Sequence, residues 1–476
     1  MDTPTPAAAD GMLENRTFDE IAVGDTASLS RTVSHEDIEL FAVVSGDVNP
    51  AHMDPGYARN DMFHRIIAQG ILEAGLISAV LGTRLPGPGT IYLGQNLRFL
   101  HPVAIGDTVT ATLTVTEKHP DKGDLVLDCR CVNQRGEEVI SGTAHVRAPR
   151  EKIRLPRVEL PDVQLSRHQR FHTLLAKAAS TTPPTAAIAH PCDANAIGAA
   201  VEAAQASLIV PILVGPRAKL DKAAAAAGVD ITGYRIVDVP HSQAAAETAV
   251  ALVKNGEASL LMKGSLHTDE LLHAVLAPDS GLHTERRLSH VYLMDVPRYP
   301  RPLLVTDAAV NIAPDLEQKR DIVQNAIDLA LVMGIETPRV AVLSAVETVN
   351  PKMRSTVDAA ALCKMADRGQ IHGGLVDGPL AFDNAVSPAA AAEKGIVSPV
   401  AGRADILVVP DLEAGNMLAK QLSFLAGADA AGIVLGARVP IILTSRADAQ
   451  RTRLASCAVA VLVARARATA TPAAVA

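Results

Sequence analysis

The sequence predicts two parts in one chain: an antiparallel sheet wrapped about a single long helix, then an α/β unit with a mainly parallel sheet. Three observations carry that expectation. The 476 residues exceed what one domain of roughly 100 to 200 residues holds. Residues 17–147 contain long alternating segments such as Thr108–Thr116, with threonines and apolar residues on opposite faces, which is the pattern of antiparallel strands. From about residue 168 onward, short apolar runs alternate with alanine-rich helical stretches, and repeated βα alternation implies parallel pairing.

Taken in order, residues 1–16 read as a flexible start. The run Phe41–His52 ends in Asn49-Pro50, and because proline disfavours helical geometry at the residue before it, a turn is expected there. Gly70–Leu81 is long enough for a helix and apolar nearly all round, so it must be buried. Leu125–Val132 and Val139–Val146 flank Asn133–Gly136 and form a hairpin. Residues 148–167 are basic and proline-spaced, a connector. Residues 168–466 form the second domain. Its strands are placed at Ser207–Gly215, Arg235–Val239, Ser259–Lys263, Leu303–Thr306, Val340–Ser344, Ile406–Val409 and Pro440–Thr444. A helix is expected over Leu316–Met333, and residues 467–476 read as a flexible tail.

The remaining composition excludes more than it names. Hydrophobic residues make up 48%, charged residues 20%, and the net charge is -8; nothing calls for nucleic acid. No apolar run reaches the roughly 18 residues that span a bilayer, and no basic-then-apolar leader opens the chain, so a cytoplasmic protein is expected. Five cysteines, Cys129, Cys131, Cys192, Cys363 and Cys457, read as reduced thiols. Cys129 and Cys131 fall on one face of a strand, where a zinc half-site is conceivable. Neither a phosphate-loop motif nor a dinucleotide fingerprint is present.

Asp47 and His52 lie five residues apart across the Asn49-Pro50 bend, which lets a carboxylate and an imidazole converge on one small molecule. Such a pair could hold and activate a water for addition across a conjugated double bond. Backbone N–H groups where the helix begins, near Gly70, would stabilise the negative charge that builds on a carbonyl oxygen. Ser78, two turns on, either reaches that site or packs as a core hydroxyl. The stretch Ser45–His52, with Gln69–Leu72 and Leu85–Phe99, resembles the MaoC-like (R)-specific enoyl-CoA hydratases over nearly all of residues 17–147. That resemblance implies a hot-dog fold, in which an antiparallel sheet wraps a long helix, and hydration of trans-2-enoyl-CoA to (R)-3-hydroxyacyl-CoA. It assigns Asp47 and His52 as the catalytic pair, Asn49 as the motif's amide, Gly70 as the oxyanion donor and Ser78 as a serine near the acyl group.

In the second half, loops after predicted strands are polar or glycine-rich: Met262–Gly264, Asp307–Asn311, Ser344–Glu347, Asp377–Pro379, Asp411–Asn416 and Ser445–Asp448. Ligands of parallel α/β sheets bind where such loops converge at the carboxyl ends of strands. Ser445-Arg446 follows the apolar run Val439–Thr444, and a guanidinium there suits an oxyanion; Asp448 could orient Arg446 or take a proton. Cys363 on a helix reads as a core thiol rather than a nucleophile.

Residues 168–463 resemble the phosphate acetyl/butyryltransferase family, its butyryl members most closely. The phrases Met262–Asp269, Leu288–Met294, Thr306–Asn311, Leu343–Glu347, Val349–Met353, Asp377–Asn384 and Ser445–Asp448 carry the resemblance. It implies reversible acyl transfer between coenzyme A and phosphate in the cleft of a two-part fold, with Ser445 and Arg446 in the site. His273 stands where acetyl-specific members have an arginine, leaving Arg286 or Arg287 to take its place. Acyl-CoA, CoA and phosphate are then the partners, with no metal or organic cofactor, no membrane and no nucleic acid, in a homo-oligomer. Two rival readings are a noncatalytic acyl-CoA-sensing second half and a hot-dog thioesterase in the first.

Overall fold

The computed structural model describes residues 11–469 apart from 162, 164, 166–168, 180–181 and 444–448. The chain divides into two compact units, Met1–Leu165 and Ser166–Ala476.

The first unit runs β1 (Met12–Glu14), β2 (Thr26–Thr32), α1 (His35–Ser45), α2 (Pro50–Met53), α3 (Pro55–Asn60), α4 (Gly70–Thr83), β3 (Ile91–Phe99), β4 (Thr108–His119), β5 (Asp124–Val132), β6 (Glu138–Arg147) and β7 (Arg154–Pro156). Five strands form one antiparallel sheet in the order β2-β4-β5-β6-β3. The expected alternation sets its inner face: Val109, Ala111, Leu113 and Val115 of β4, with Leu125, Leu127, Cys129 and Cys131 of β5, are buried in one cluster with Ala74, Ile77, Val80 and Leu81 of α4. This is the hot-dog arrangement.

Helix α4 departs from full burial. Ile71, Gly75, Ser78 and Gly82 lie along one exposed stripe, and Ile71 keeps 56% of its surface, because the sheet covers only one side of the helix. A second departure concerns the stretch read as a connector. Arg154–Pro156 pairs antiparallel with Met12–Glu14, and Lys152 bridges Glu14 and Glu20 at 3.1 and 3.0 Å. Part of each supposedly flexible segment is thus strand, held to the first unit by backbone pairing and opposite charge.

The second unit contains α5 (Gln169–Ala178), β8 (Thr185–Ala189), α6 (Ala194–Gln205), β9 (Val210–Val214), α7 (Arg217–Ala227), β10 (Arg235–Val237), α8 (Ser242–Lys254), β11 (Leu260–Lys263) and α9 (Thr268–Leu276). It continues through β12 (Ser289–Asp295), β13 (Leu303–Thr306), α10 (Leu316–Val332), β14 (Arg339–Leu343), α11 (Arg354–Asp367), β15 (Leu375–Leu380), α12 (Phe382–Val386) and α13 (Pro388–Glu393). The last elements are β16 (Ile406–Val408), α14 (Leu412–Phe424), β17 (Asp429–Leu435), β18 (Ile441–Ile442) and α15 (Gln450–Thr469). Local chemistry starts α10 where expected. Asp315 caps α10 by accepting from the Gln318 N–H while the Gln318 side chain returns to the Asp315 N–H, a reciprocal capping box.

Eleven strands make one mostly parallel sheet, β10-β9-β8-β11-β18-β17-β12-β13-β16-β14-β15. The strands on either side of β17 and β12 run parallel among themselves, but β17 and β12 pair antiparallel with their neighbours. Three reversals in succession leave the two parallel blocks pointing in opposite directions. Their carboxyl ends therefore fall at opposite edges of the sheet, which corrects the expectation that every polar loop converges at one edge. Asp377-Gly378-Pro379 also lies inside β15 rather than after a strand.

One sheet face carries a continuous core that includes residues of α6, α7, α10, α11 and α15. The other face holds two separate clusters, one around α8 and α9 with Leu261, Val434 and Leu443, the other around α12, α13 and α14 with Met294, Val305 and Leu407. Between them the floor is formed by β12 and β17. Among the described residues no helix is long and apolar enough to cross a membrane.

Candidate active sites

In the first unit, α1 ends at Gly46 in the left-handed conformation, φ 77°, which turns the chain out of the helix. Asp47 then accepts from the Asn49 N–H at 3.2 Å. The expected Asn-Pro bend proves to be the start of a helical turn: Asn49 caps α2 by accepting from the Ala51 N–H at 3.1 Å, with Pro50 at the first helical position, where its missing N–H costs nothing. This turn carries His52 back toward Asp47, with His52 Nε2 4.0 Å from Asp47 Oδ2. The imidazole is 12% exposed and the carboxylate 43%.

His52 Nδ1 lies 2.8 Å from the Ile67 carbonyl oxygen. A carbonyl only accepts, so Nδ1 carries a proton, and in the neutral ring Nε2 then presents a lone pair. Two acceptors then face each other at a separation too long for a direct hydrogen bond, a spacing at which one water can donate to both. Three residues beyond Ile67, Gly70 opens α4, so its N–H has no carbonyl of the preceding turn to bond and stands at the positive end of the helix. Asn49 is engaged in the cap. Ser78 is exposed on the outer stripe of α4, about 12 Å along the helix axis from Gly70, so the core-hydroxyl alternative does not hold.

A charged residue passed over in the sequence sits inside this unit. Glu73, one turn into α4, is 4% exposed; burial, with the nearby Asp107 carboxylate, pushes its pKa up to about 8. Its position on a helix with apolar residues on both sides could have marked it.

In the second unit, Ser445, Arg446 and Asp448 lie outside the described residues. Their neighbours are defined. β11 runs parallel beside β18, which brings Lys263 next to the exit of β18. The Lys263 ammonium is buried and donates to the Gly264 and Leu266 carbonyls, both at 3.3 Å. The two arginines left open by sequence part company. Arg286 pairs with Asp328 of α10, whereas Arg287 Nε donates to Asn311 Oδ1 at 2.8 Å. Asn311 is itself fastened to Asp307, whose carboxylate accepts from the N–H groups of Ala309, Val310 and Asn311. Arg287 is exposed, placed by the Asp307–Asn311 loop.

The strands β8, β12, β15 and β17 were missed in the sequence, and β12 carries His290 and Tyr292. The phrase Leu288–Met294 contained them but did not read as a strand, because Ser289, His290 and Tyr292 interrupt its apolar run without a strict alternation.

An acid–base pair on a hot-dog scaffold and an arginine placed by a polar loop on a mostly parallel sheet are the site features the described residues present. Residues 21–126 match the family model described as MaoC like domain, and residues 241–461 match Phosphate acetyl/butaryl transferase. The chain is 63% identical over 306 residues to a phosphate acetyltransferase of Rhizobium meliloti, covering 64% of this chain and 97% of that protein. It is 42% identical over 294 residues to a phosphate butyryltransferase of Clostridium acetobutylicum (strain ATCC 824), covering 62% and 98%. A branched-chain phosphotransacylase from Enterococcus faecalis V583, solved by crystallography, is 32% identical with a TM-score of 0.52, over 59% of this chain and 99% of that one. The chain belongs to the phosphate acetyl/butyryltransferase family and carries a MaoC-like domain ahead of it. Of the two relatives, the acetyl-named one is the more similar, opposite to the ordering the sequence phrases suggested.

Proposed function

We propose that the chain is a bifunctional enzyme of coenzyme A thioesters: its first unit hydrates trans-2-enoyl-CoA to (R)-3-hydroxyacyl-CoA, and its second transfers an acyl group reversibly between CoA and inorganic phosphate. The observation that carries the first activity is the 4.0 Å gap between Asp47 and His52 within a MaoC-like domain. A water donating to both acceptors directs its oxygen lone pair at C3 of the enoyl group. As the C3–O bond forms, charge moves onto the thioester oxygen, where the Gly70 N–H stabilises it. The proton taken by the pair returns to C2, so water has added across the double bond.

The second activity rests on the 63% identity spanning 97% of a phosphate acetyltransferase. A phosphate oxygen attacks the thioester carbonyl and the CoA thiolate leaves; the reverse step forms the thioester from an acyl phosphate. Positioning and charge neutralisation by Arg446 and Arg287 supply the help, with Ser445 bonding the sulfur or a phosphate oxygen. No metal or organic cofactor enters either reaction as written. The identity with the acetyl-named relative favours a short acyl group. A homo-oligomer fits the exposed Ile71 stripe and the exposed Ile91 and Leu93 on edge strand β3, and the cytoplasm fits substrates confined to cells.

Two assays on the intact chain test this: loss of the enoyl-CoA absorbance, and thiol release from acyl-CoA with and without phosphate. Asp47→Asn should lower hydration at least about 100-fold and leave phosphate-dependent release unchanged; Arg446→Ala should do the opposite. Thiol release that needs no phosphate would reassign the first unit as a thioesterase. Absence of phosphate-dependent release from the unaltered chain would make the second unit a noncatalytic binder.

A further inference from the structure

The floor between the two clusters of the second unit holds an imidazole with no partner among the described residues. His290 is fully buried, and neither ring nitrogen meets a hydrogen-bonding group of a described residue. Tyr292 stands beside it on the same face of β12, the rings edge to face with centroids 4.4 Å apart. Burial, only partly offset by the Asp307 carboxylate, pulls the pKa of His290 down to about 4, so the ring is neutral and can both donate and accept.

The ring's direction is recorded by its neighbour across the sheet. Tyr292 pairs with Gly432 of β17, and a Cβ on Gly432 would stand 3.0 Å from His290 Nε2 and 3.1 Å from the Leu443 carbonyl oxygen. The absent side chain is the space the imidazole uses. Its Nε2 therefore lies over β17 toward Leu443, the residue that precedes Thr444, Ser445 and Arg446.

Leaving a buried polar group unpaired is destabilising, and an apolar ring of similar size would escape that cost. An imidazole that is a liability in the unliganded chain gains its hydrogen bond in another state. The geometry points to His290 as a positioning residue for acyl transfer, whose hydrogen bond forms when CoA and phosphate occupy the site and holds Leu443, at the end of β18, in place. This rests on the acyltransferase reading above.

The test compares His290→Phe and His290→Gln with the unaltered full-length chain. Measured are kcat and KM for phosphate-dependent CoA release, hydration as an internal control, and thermal unfolding. His290→Phe should unfold at or above the original temperature, lose at least tenfold in kcat, and keep both KM values within about threefold. His290→Gln, which retains a donor and an acceptor, should recover part of the lost kcat, and hydration should be constant throughout.

An unchanged kcat in His290→Phe overturns the inference. So does a loss of kcat accompanied by lowered unfolding temperature in both variants, because that is the behaviour of a packing residue. If the unaltered chain lacks phosphate-dependent release, the acyltransferase reading falls instead. His290 is then judged by its ring 15N resonances in labelled protein: a shift on adding CoA and phosphate upholds the pairing, and no shift overturns it.

Discussion

Glu73 shows at the residue scale how a charge inside a helix sets a pH limit. Its carboxyl has an ordinary pKa of 4.5, raised in the folded chain to about 8 chiefly by burial and secondarily by Asp107. A carboxyl that binds its proton more tightly when folded contributes fully below the unfolded value and loses that contribution as pH climbs to the folded one. The first unit should therefore weaken between about pH 4.5 and pH 8, by at most about 1.4 kcal/mol for each pH unit. Glu73→Gln keeps the shape and removes the titration. Denaturant unfolding followed at pH 5 and pH 8 should find it stabilising at pH 8, by up to about 3 kcal/mol more than at pH 5; an equal effect at both would refute the assignment. Asp47 and His52 were legible as a pair because a proline and an amide between them announce a bend. Glu73 was passed over although its apolar flanks offered a signal, since helical periodicity alone treats one carboxylate among apolar residues as a break in the pattern. The Ile67 carbonyl that fixes the His52 tautomer was equally invisible, because backbone acceptors have no sequence signature.

Among the α-helices of the described residues, α2 is the shortest and does the most for the first site. It is four residues long, and a helix that short has no stability of its own in water. It persists through the Asn49 cap, the Pro50 start and the Ile67–His52 bond. Asn49→Ala should cost about 1 kcal/mol through the lost cap and slow hydration several-fold by loosening His52. Asn49→Ser and Asn49→Asp, which cap as well as asparagine, should restore both. Failure of those replacements to recover hydration, with stability regained, would instead assign the amide to substrate contact. Most strands of the second unit were readable from their apolar runs, and α10 was readable to within a residue at its end. β8, β12, β15 and β17 were not. Of these, β12 and β17 are antiparallel strands buried on both sides, which carry neither the alternation of a half-solvated sheet nor the βα rhythm of a parallel one.

For the whole molecule, two units with separate apolar cores predict two unfolding transitions in calorimetry. Glu73→Gln at pH 8 should raise only the one belonging to the first unit, and His290→Phe should move only the other. A single transition displaced by either substitution would mean that the units unfold cooperatively. Sequence by itself determined that two domains share the chain, that the first is an alternating sheet about a helix and the second mainly parallel, and which short phrases carry the chemistry. These follow from side-chain periodicity and from turn residues acting over a few positions. Tertiary structure alone decided which side of α4 stays bare, that the two parallel blocks point in opposite directions, and that Arg287 rather than Arg286 faces the Asp307 loop. It alone laid an unpaired imidazole over Gly432. Each of these depends on pairing between residues far apart in the chain, and local patterns do not record which distant strand becomes a neighbour or in which sense it runs.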